Sequence, residues 1–531
     1  MVTNYSITDH NVVPPKITIP REYNAAFDLL GRNLDAGRGS KTAYIDDHGE
    51  ITYADLDKRS NRFGSALASI GIQQEQRLLI CAQDCIDWPV AFLGAIKAGV
   101  IPVAVNTLLT SGDYAHMLSD SRAKVAVVSP DLLPVFKQLQ KQIPTLEKIV
   151  VTGAEQMDAD LSICALESDG TSAYGGVETT KDDACFWLYS SGSTGAPKGT
   201  VHLHSSIIQT AELFGRQVLE ISSEDVIFSA AKLFFAYGLG NALSFPLAFG
   251  ATTILMAERP TPEAVFRRLL EHKPTLFFGV PTLYAAMLAY PTPPQQSDLS
   301  MRICISAGEA LPEDTQSRWR ELTATDIIDG IGSTEILHVF LSNRLHDIAP
   351  GTTGKPVPGY ELRLVDVNDQ PVAPGEIGDL VIKGPSAAAN YWNNRSKSIA
   401  TFQGEWTRSG DKYSINEDGY YVYAGRSDDM LKVSGIYLSP AEVEATLIKH
   451  AAVLEAAVIG AADENGLIKP KAYIVLQQTA SGSEALKEEL KQFVKSELAP
   501  YKYPRWFEFI EELPKTATGK IQRFKLRELN R

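Results

Sequence analysis

The 531-residue chain carries 50 Lys and Arg against 64 Asp and Glu, a formal charge of −14. That balance argues against a nucleic-acid partner, because phosphate backbones are met by basic surfaces, whereas a nucleotide needs only one local positive site. The length exceeds what one hydrophobic core sustains and implies roughly two to four domains or subdomains.

The first stretch, "MVTNYSITDHNVVPPKITIP", has neither a basic start nor an apolar run, so it does not read as a secretory signal. Residues 1–24 are expected to form a loose arm. "RLLICAQD" then reads as a strand, "DWPVAFLGAIKAG" as a helix and "VIPVAVN" as a strand; "AKVAVVSP" and "LEKIVVTG" repeat the strand type around a helical "LLPVFKQLQKQ". Such alternation predicts parallel sheets covered by helices. Residues 233–257 carry no charge and are long enough to span a bilayer. Gly238, Gly240, Asn241, Pro246 and Gly250 interrupt them, so two buried elements joined by a turn are expected.

From about Gly351 the texture changes to short strands and turns, as in "YELRLVDVNDQPVAPGEIGDLVIKG" and "NEDGYYVYAGR". Behind a polar crossing near Asp428 come a strand, a Ser-Pro helix start and the amphipathic "SEALKEELKQFVKSELAP". The fold class is therefore α/β. A large domain of parallel α/β sheets spans 25–427, with a β-rich subdomain at about 351–427, and a small α/β domain spans 428–531.

Five cysteines (81, 85, 164, 185 and 304) form no disulfide framework, and Cys81 with Cys85 cannot alone complete a zinc site. Buried, reduced thiols in a cytoplasmic protein are expected. His202 and His204 alternate on a strand with no nearby acid, which makes a poor metal pair.

Five stretches carry the chemistry. "YSSGSTGAPKGT" (189–200) leaves a hydrophobic strand through glycines, hydroxyls and one lysine. Glycines let successive N–H groups converge on an anion, and lysine adds charge. Lys198 precedes Gly199 and the spacing fails the Walker pattern, so this is no ordinary P-loop; a flexible surface loop is the bland alternative. "DGIGSTEILH" (329–338) places Gly, Ser and Thr beside Glu335, and "RSGDKY" presents Asp411 after a glycine turn. "GRSDDMLKVSG" carries Arg426 and Lys432 around an acidic pair, and "LPKTATGKIQR" places Gly519 and Lys520 near the end. Singly, Glu335 could cap a helix, Asp411 close a turn, and Lys520 be one more solvated lysine.

Together and in this order, the five stretches resemble the adenylate-forming superfamily of acyl-CoA synthetases, peptide-synthetase adenylation domains and luciferases. The resemblance runs from about residue 25 to the end and implies a large N-terminal and a small, mobile C-terminal domain. It also implies roles. Ser190, Ser191, Gly192, Ser193, Thr194, Gly195 and Lys198 would hold the ATP phosphates, Thr334 the α-phosphate, and Glu335 with Thr194 a Mg²⁺ ion. Gly308, Glu309, Asp329, Gly330, Ile331, Gly332 and Ser333 would border adenine and the acyl group. Asp411 would accept from the ribose hydroxyls with Arg426 assisting, and Lys520 would bridge carboxylate and phosphate oxygens. Asp428 would be the hinge, and Lys432, Ser434 and Gly435 would serve the thioester step.

Two positions depart from the family pattern. Ile331 stands where a tyrosine is frequent, and Phe235 stands where many members carry a histidine, so that histidine's role does not transfer. The departures point to the acyl group. Phe235, Ala236 and Tyr237, with Phe234, offer flat apolar surface, and no Asp or Glu between Lys232 and Glu258 could pair an ammonium group. Ala307, Gly332 and His338 would complete the slot; His338 reads equally well as pocket floor or as a core histidine. "KLFFAYGLGNAL" with "DGIGSTEILHVFLSN" looks most like the benzoate–CoA ligase branch, which implies ATP, Mg²⁺ and coenzyme A as cofactors and co-substrates. The expected partner is a small aromatic carboxylate, with no nucleic acid and no membrane; a homodimer is compatible with the sequence. Alternatives are a ligase for a substituted benzoate such as 2-aminobenzoate, a stand-alone aryl adenylation domain loading a carrier protein, and a non-enzymatic adenylate-binding protein. Too little chain follows Lys520 for a carrier domain of its own, and Lys520 and Glu335 together speak against the non-enzymatic reading.

Overall fold

Runs rich in Val, Ile and Leu become strands with no exposed face, as in Val125–Val128 and Ile303–Ala307, where every residue is buried. Strands of that kind belong in parallel sheets covered on both sides. The computed structural model describes residues 4–154, 157–192, 195–427, 429–433, 436–464, 467–478, 480–498, 502–515 and 521–529.

Among these residues the large domain carries two extended sheets. One runs in the order Asn390–Tyr391, Gly195–Leu203, Ala184–Gly192, Ile101–Ala104, Arg77–Cys81, Val125–Val128, Lys148–Val151, Leu161–Ser162. The other runs Lys355–Pro356, Val339–Ser342, Ile327–Gly332, Ile303–Ala307, Leu276–Gly279, Val226–Ser229, Thr252–Ile254, Thr42–Asp46, Gly49–Thr52. Their central strands are parallel; both edges of the second sheet and one edge of the first are antiparallel, while the first sheet's other edge, Leu161–Ser162, is parallel.

The β-rich stretch after Gly351 forms a five-stranded antiparallel sheet in which Trp406–Ile415 pairs with Gly378–Lys383, Phe402–Gln403 and Tyr421–Arg426. It does not stand apart. Asn390–Tyr391 adds an edge to the first large sheet and Lys355–Pro356 an edge to the second. The C-terminal segment has its own three-stranded sheet, Val453–Ala462, Ile468–Leu476 and Trp506–Phe509. Helices Pro440–Ile448 and Glu484–Glu497 contribute Val443, Leu447, Leu490 and Val494 to a separate core there.

Two expectations need correction, and the expectation of two buried elements joined by a turn at 233–257 holds. The N-terminal arm is not loose: Ile7–Asp9 and Lys16–Thr18 form an antiparallel hairpin, and Ser6 Oγ and Tyr23 OH donate to the buried Asp28 carboxylate at 2.6 and 2.8 Å. A buried carboxylate left without donors is costly, and the arm supplies them. Buried thiols hold for Cys81, Cys185 and Cys304, but Cys164 is exposed and Cys85 partly so. Residues 233–257 form a helical run ending at Gly250 (φ 83°) and then strand Thr252–Ile254; no helix among the described residues is long and apolar enough to cross a membrane.

His204 is a structural acceptor. Its Nδ1 takes the N–H of Ala25, the first residue of helix Ala25–Asp35, at 3.1 Å. Burial pushes the imidazole down to about 4. Between that value and the ordinary ~6.5 the unfolded chain binds more protons, so this group's contribution to stability is full above ~6.5 and is lost as pH falls. The stability deficit of His204→Gln, measured by urea unfolding, should therefore shrink by ~2 kcal/mol between pH 7.5 and pH 5. A deficit that does not change with pH would mean that the imidazole is not held neutral.

Candidate active site

The glycine stretch is the turn of a β-hairpin rather than an open loop. Ala184–Gly192 and Gly195–Leu203 pair antiparallel, with Tyr189 opposite Gly199, Ser190 opposite Lys198 and Gly192 opposite Gly195. Ser193 and Thr194 lie outside the described residues, as do the side chain of Ser191 and the residues Asp428, Ser434, Gly435 and Lys520. The side chain of Lys432 is likewise outside them.

Glu335 lies against this hairpin. Its Oε1 accepts from Tyr391 OH at 2.7 Å and stands 3.5 Å from Ser190 Oγ. Among the described residues Oε2 has no hydrogen-bond partner. The Lys198 ammonium sits over the Tyr391 ring, 4.3 Å from its centroid. Burial holds this lysine below its ordinary value, opposed by Glu335 and reinforced by Lys397 and Arg426. Cationic and anionic groups from four chain segments thus share one site.

Strand Ile327–Gly332 leads into this acid. Thr334–Ile336 is a single 3₁₀ turn capped by Ser333, whose Oγ accepts from Ile336 N–H at 3.2 Å. Leu337 then takes φ 71° and the chain reverses into strand Val339–Ser342. Glu335 and His338 therefore share no helix face: Glu335 stays partly exposed while His338 is buried. His202, also buried, donates Nε2–H to Thr334 O at 2.8 Å and stacks on Phe186. Burial pushes it down to about 4, so it is a neutral strut for the turn.

The aryl-slot residues gather beside this turn. Phe235, Ala236, Tyr237 and Ile331 pack on the main core yet are only partly buried, so the core is not closed over them. Ala307 lies at the end of strand Ile303–Ala307, and Gly308 (φ 101°) turns the chain out in a conformation that favours glycine; Glu309 follows, partly buried. Tyr237 OH is 3.3 Å from the carbonyls of Gly279 and Ile305. His338 Nε2 lies 3.2 Å from both Tyr237 O and Asn241 Oδ1, and its ring packs against Phe214, Tyr237 and Phe245. Burial pushes His338 down to about 3. It is a neutral histidine packed within the core.

Asp329 is buried on the same strand, its carboxyl pushed well up by burial, and its Oδ1 has no partner among the described residues. The slot's leading edge is pinned by Asp84, whose carboxylate accepts the Leu233 N–H at 3.2 Å. Burial raises Asp84 to about 6, opposed by Lys232. The Lys232 ammonium donates to Glu258 O at 2.8 Å.

Across the cleft, Asp411 and Arg426 face each other on adjacent strands, joined by Nη1 to Oδ1 at 2.9 Å. Gly410 (φ 76°) leaves room for the guanidinium; a Cβ there would stand 2.8 Å from Nη2. The described members of the predicted set therefore converge. Sequence reasoning missed Tyr391, Asp84, Lys232 and the strut role of His202. Only the alternation of His202 with His204 was a visible signal, and it was read as a poor metal pair rather than as a strut.

Residues 32–392 match the family model described as AMP-binding enzyme, and residues 442–520 match the AMP-binding enzyme C-terminal domain. The chain is 62% identical to a benzoate–CoA ligase of Thauera aromatica, over 98% of this chain and 99% of that protein. A crystal structure of a benzoate CoA ligase from Burkholderia xenovorans LB400 superposes with TM-score 0.90 at 53% identity, covering 95% of this chain and all of that one. The anthranilate CoA ligase AuaEII in complex with anthranoyl-AMP superposes with TM-score 0.93 at 44% identity, covering 96% of this chain and 98% of the other. With the glycine hairpin, Glu335 and the Asp411–Arg426 pair borne on this fold and both models matched in order, the chain belongs to the AMP-binding enzyme family.

Proposed function

We propose that this protein is an ATP-dependent benzoate–CoA ligase. A benzoate oxygen attacks the α-phosphorus of ATP and releases pyrophosphate; the CoA thiol then attacks the carbonyl of benzoyl-AMP and releases AMP. The observation that carries the aryl substrate is the seam of Phe235, Ala236, Tyr237 and Ile331, uncharged and half open beside the phosphate hairpin. Full-length similarity to a relative named benzoate–CoA ligase supports the same reading.

In this reading the hairpin from Ser190 to Lys198 holds the phosphate tail, with Lys198 as its cation. Asp411, oriented by Arg426, accepts from the ribose hydroxyls. Asp329, its carboxyl pushed well up by burial, faces adenine with Oδ1 unpartnered among the described residues. The residues also suit Mg²⁺, a hard cation that takes carboxylate and hydroxyl oxygens: Glu335 Oε2 has no partner among the described residues and Ser190 is adjacent. Glu335, with Thr194, would hold the ion, which when bound neutralises phosphate charge. Lys520 supplies the remaining positive charge at the carboxylate. Asp428 is the pivot about which the small domain turns to bring Lys432, Ser434 and Gly435 to the adenylate.

The test is a screen of acids for ATP- and CoA-dependent thioester formation. Benzoate should exceed octanoate in kcat/KM by at least ~10²-fold, whereas one small ring substituent should change it by only ~10–200-fold, the range an apolar pocket achieves. Octanoate turned over better than benzoate would end the reading. A second substrate, 2-aminobenzoate, is favoured by one observation: with Nε2–H donated to Tyr237 O, His338 Nδ1 is a bare acceptor with no partner among the described residues. The same screen separates the two.

A further inference from the structure

Glu335 and Lys198 interact electrostatically in one partly buried site, yet among the described residues the two side chains form no direct ion pair. Opposite charges this near would ordinarily close on each other unless something stood between them. Tyr391 touches both: its hydroxyl donates to Glu335 Oε1 at 2.7 Å and its ring face carries the Lys198 ammonium. The tyrosine is itself fixed. It is 4% exposed, paired with Thr200 across the sheet, and its ring packs on Phe402. Trp392 N–H donates to Gly199 O at 2.7 Å and Ala388 N–H to Glu335 O at 2.8 Å, so the same short segment grips both hairpin and acid turn.

We infer that Tyr391 is a positioning residue that keeps Glu335 and Lys198 apart, leaving carboxylate Oε2 to a divalent cation and the ammonium to phosphate. The hydroxyl occupies one carboxylate oxygen and aims the other; the ring gives the lysine a resting place that is not the acid. The inference rests on the ATP reading above.

Its test uses the full chain, Mn²⁺ as a paramagnetic probe and an ATP analogue with a methylene bridge between the α- and β-phosphates, with free Mn²⁺ read by electron paramagnetic resonance. Tyr391→Phe keeps ring and burial but removes the donor, and should raise the Mn²⁺ midpoint ~10-fold, as loss of an outer hydrogen bond to a metal ligand does. Tyr391→Leu removes the ring too and should raise the midpoint several-fold further, as Lys198 closes on Glu335. A merely structural tyrosine would lower thermal stability and leave both midpoints where they were. A Tyr391→Phe midpoint equal to the parent's overturns the inference. A Tyr391→Leu midpoint equal to that of Tyr391→Phe overturns the part given to the ring. If the parent takes up no Mn²⁺ with the analogue, or Glu335→Gln titrates like the parent, the ATP reading itself falls.

Discussion

Lys520→Ala is expected to lower benzoate-dependent pyrophosphate exchange by ~10²–10³-fold, the usual cost of removing a preorganised electrostatic contact. The same variant should convert supplied benzoyl-AMP and CoA to benzoyl-CoA at close to the parent rate. Two charges meet in adenylation, the benzoate carboxylate and the α-phosphate, and their repulsion grows as the oxygen approaches phosphorus. The described cations are committed elsewhere in the proposed site: Lys198 to the phosphate tail and Arg426 to Asp411. In the second half-reaction a thiol attacks a carbonyl and no anion approaches phosphorus, so that demand is gone. An ordinary surface lysine would change stability by no more than ~0.5 kcal/mol and neither rate. Single-turnover assays of the two steps on one folded variant decide the matter. Surviving exchange would remove Lys520 from adenylation, and equal loss in both steps would refute the alternating small domain.

Gly240→Ala is expected to lower kcat/KM for benzoate by ~10² while leaving the KM for ATP within a few-fold. Gly240 begins the wide turn Gly240–Ser244 in the helical run beneath the slot. A Cβ there would stand 2.1 Å from His338 Cδ2 and 2.5 Å from its Nε2. The ring has little room to yield, being packed on Phe214, Tyr237 and Phe245. Either the helix lifts or the imidazole rotates, which costs ~1–3 kcal/mol of stability as overpacking and breaks the contact with Tyr237 O. Both movements displace Tyr237, a wall of the proposed aryl slot, and misplacement by about 1 Å costs ~10²-fold. The hairpin and the Asp411–Arg426 pair lie on other elements. Gly240→Ala combined with His338→Ala should recover most of the stability because the clash is gone. If the double variant is no more stable than Gly240→Ala, the imidazole contact is not what excludes a side chain at 240.

The alternation of apolar runs with helical patterns was enough, unaided, to place parallel sheets in the large domain, and each of "RLLICAQD", "AKVAVVSP" and "LEKIVVTG" holds a strand where its Val, Ile and Leu lie. Hydrophobic periodicity is a local property, so it survives being read without a partner. The glycine stretch, the Thr-Glu pair and the Asp after its glycine turn stood out for the same reason: each is a short local run of unusual residues. Tyr391 carried no such mark, since its partner Glu335 lies 56 residues away and only the antiparallel edge strand beside Gly195–Leu203 brings them together. Asp84 reaches Leu233 across 149 residues and His202 reaches Thr334 across 132. The docking of the N-terminal hairpin on Asp28 and the burial of His338 among Phe214, Tyr237 and Phe245 belong to the same class. A buried polar group must find a partner, but which one it finds is decided by the order in which strands become neighbours, and that order exists only once the sheets have formed.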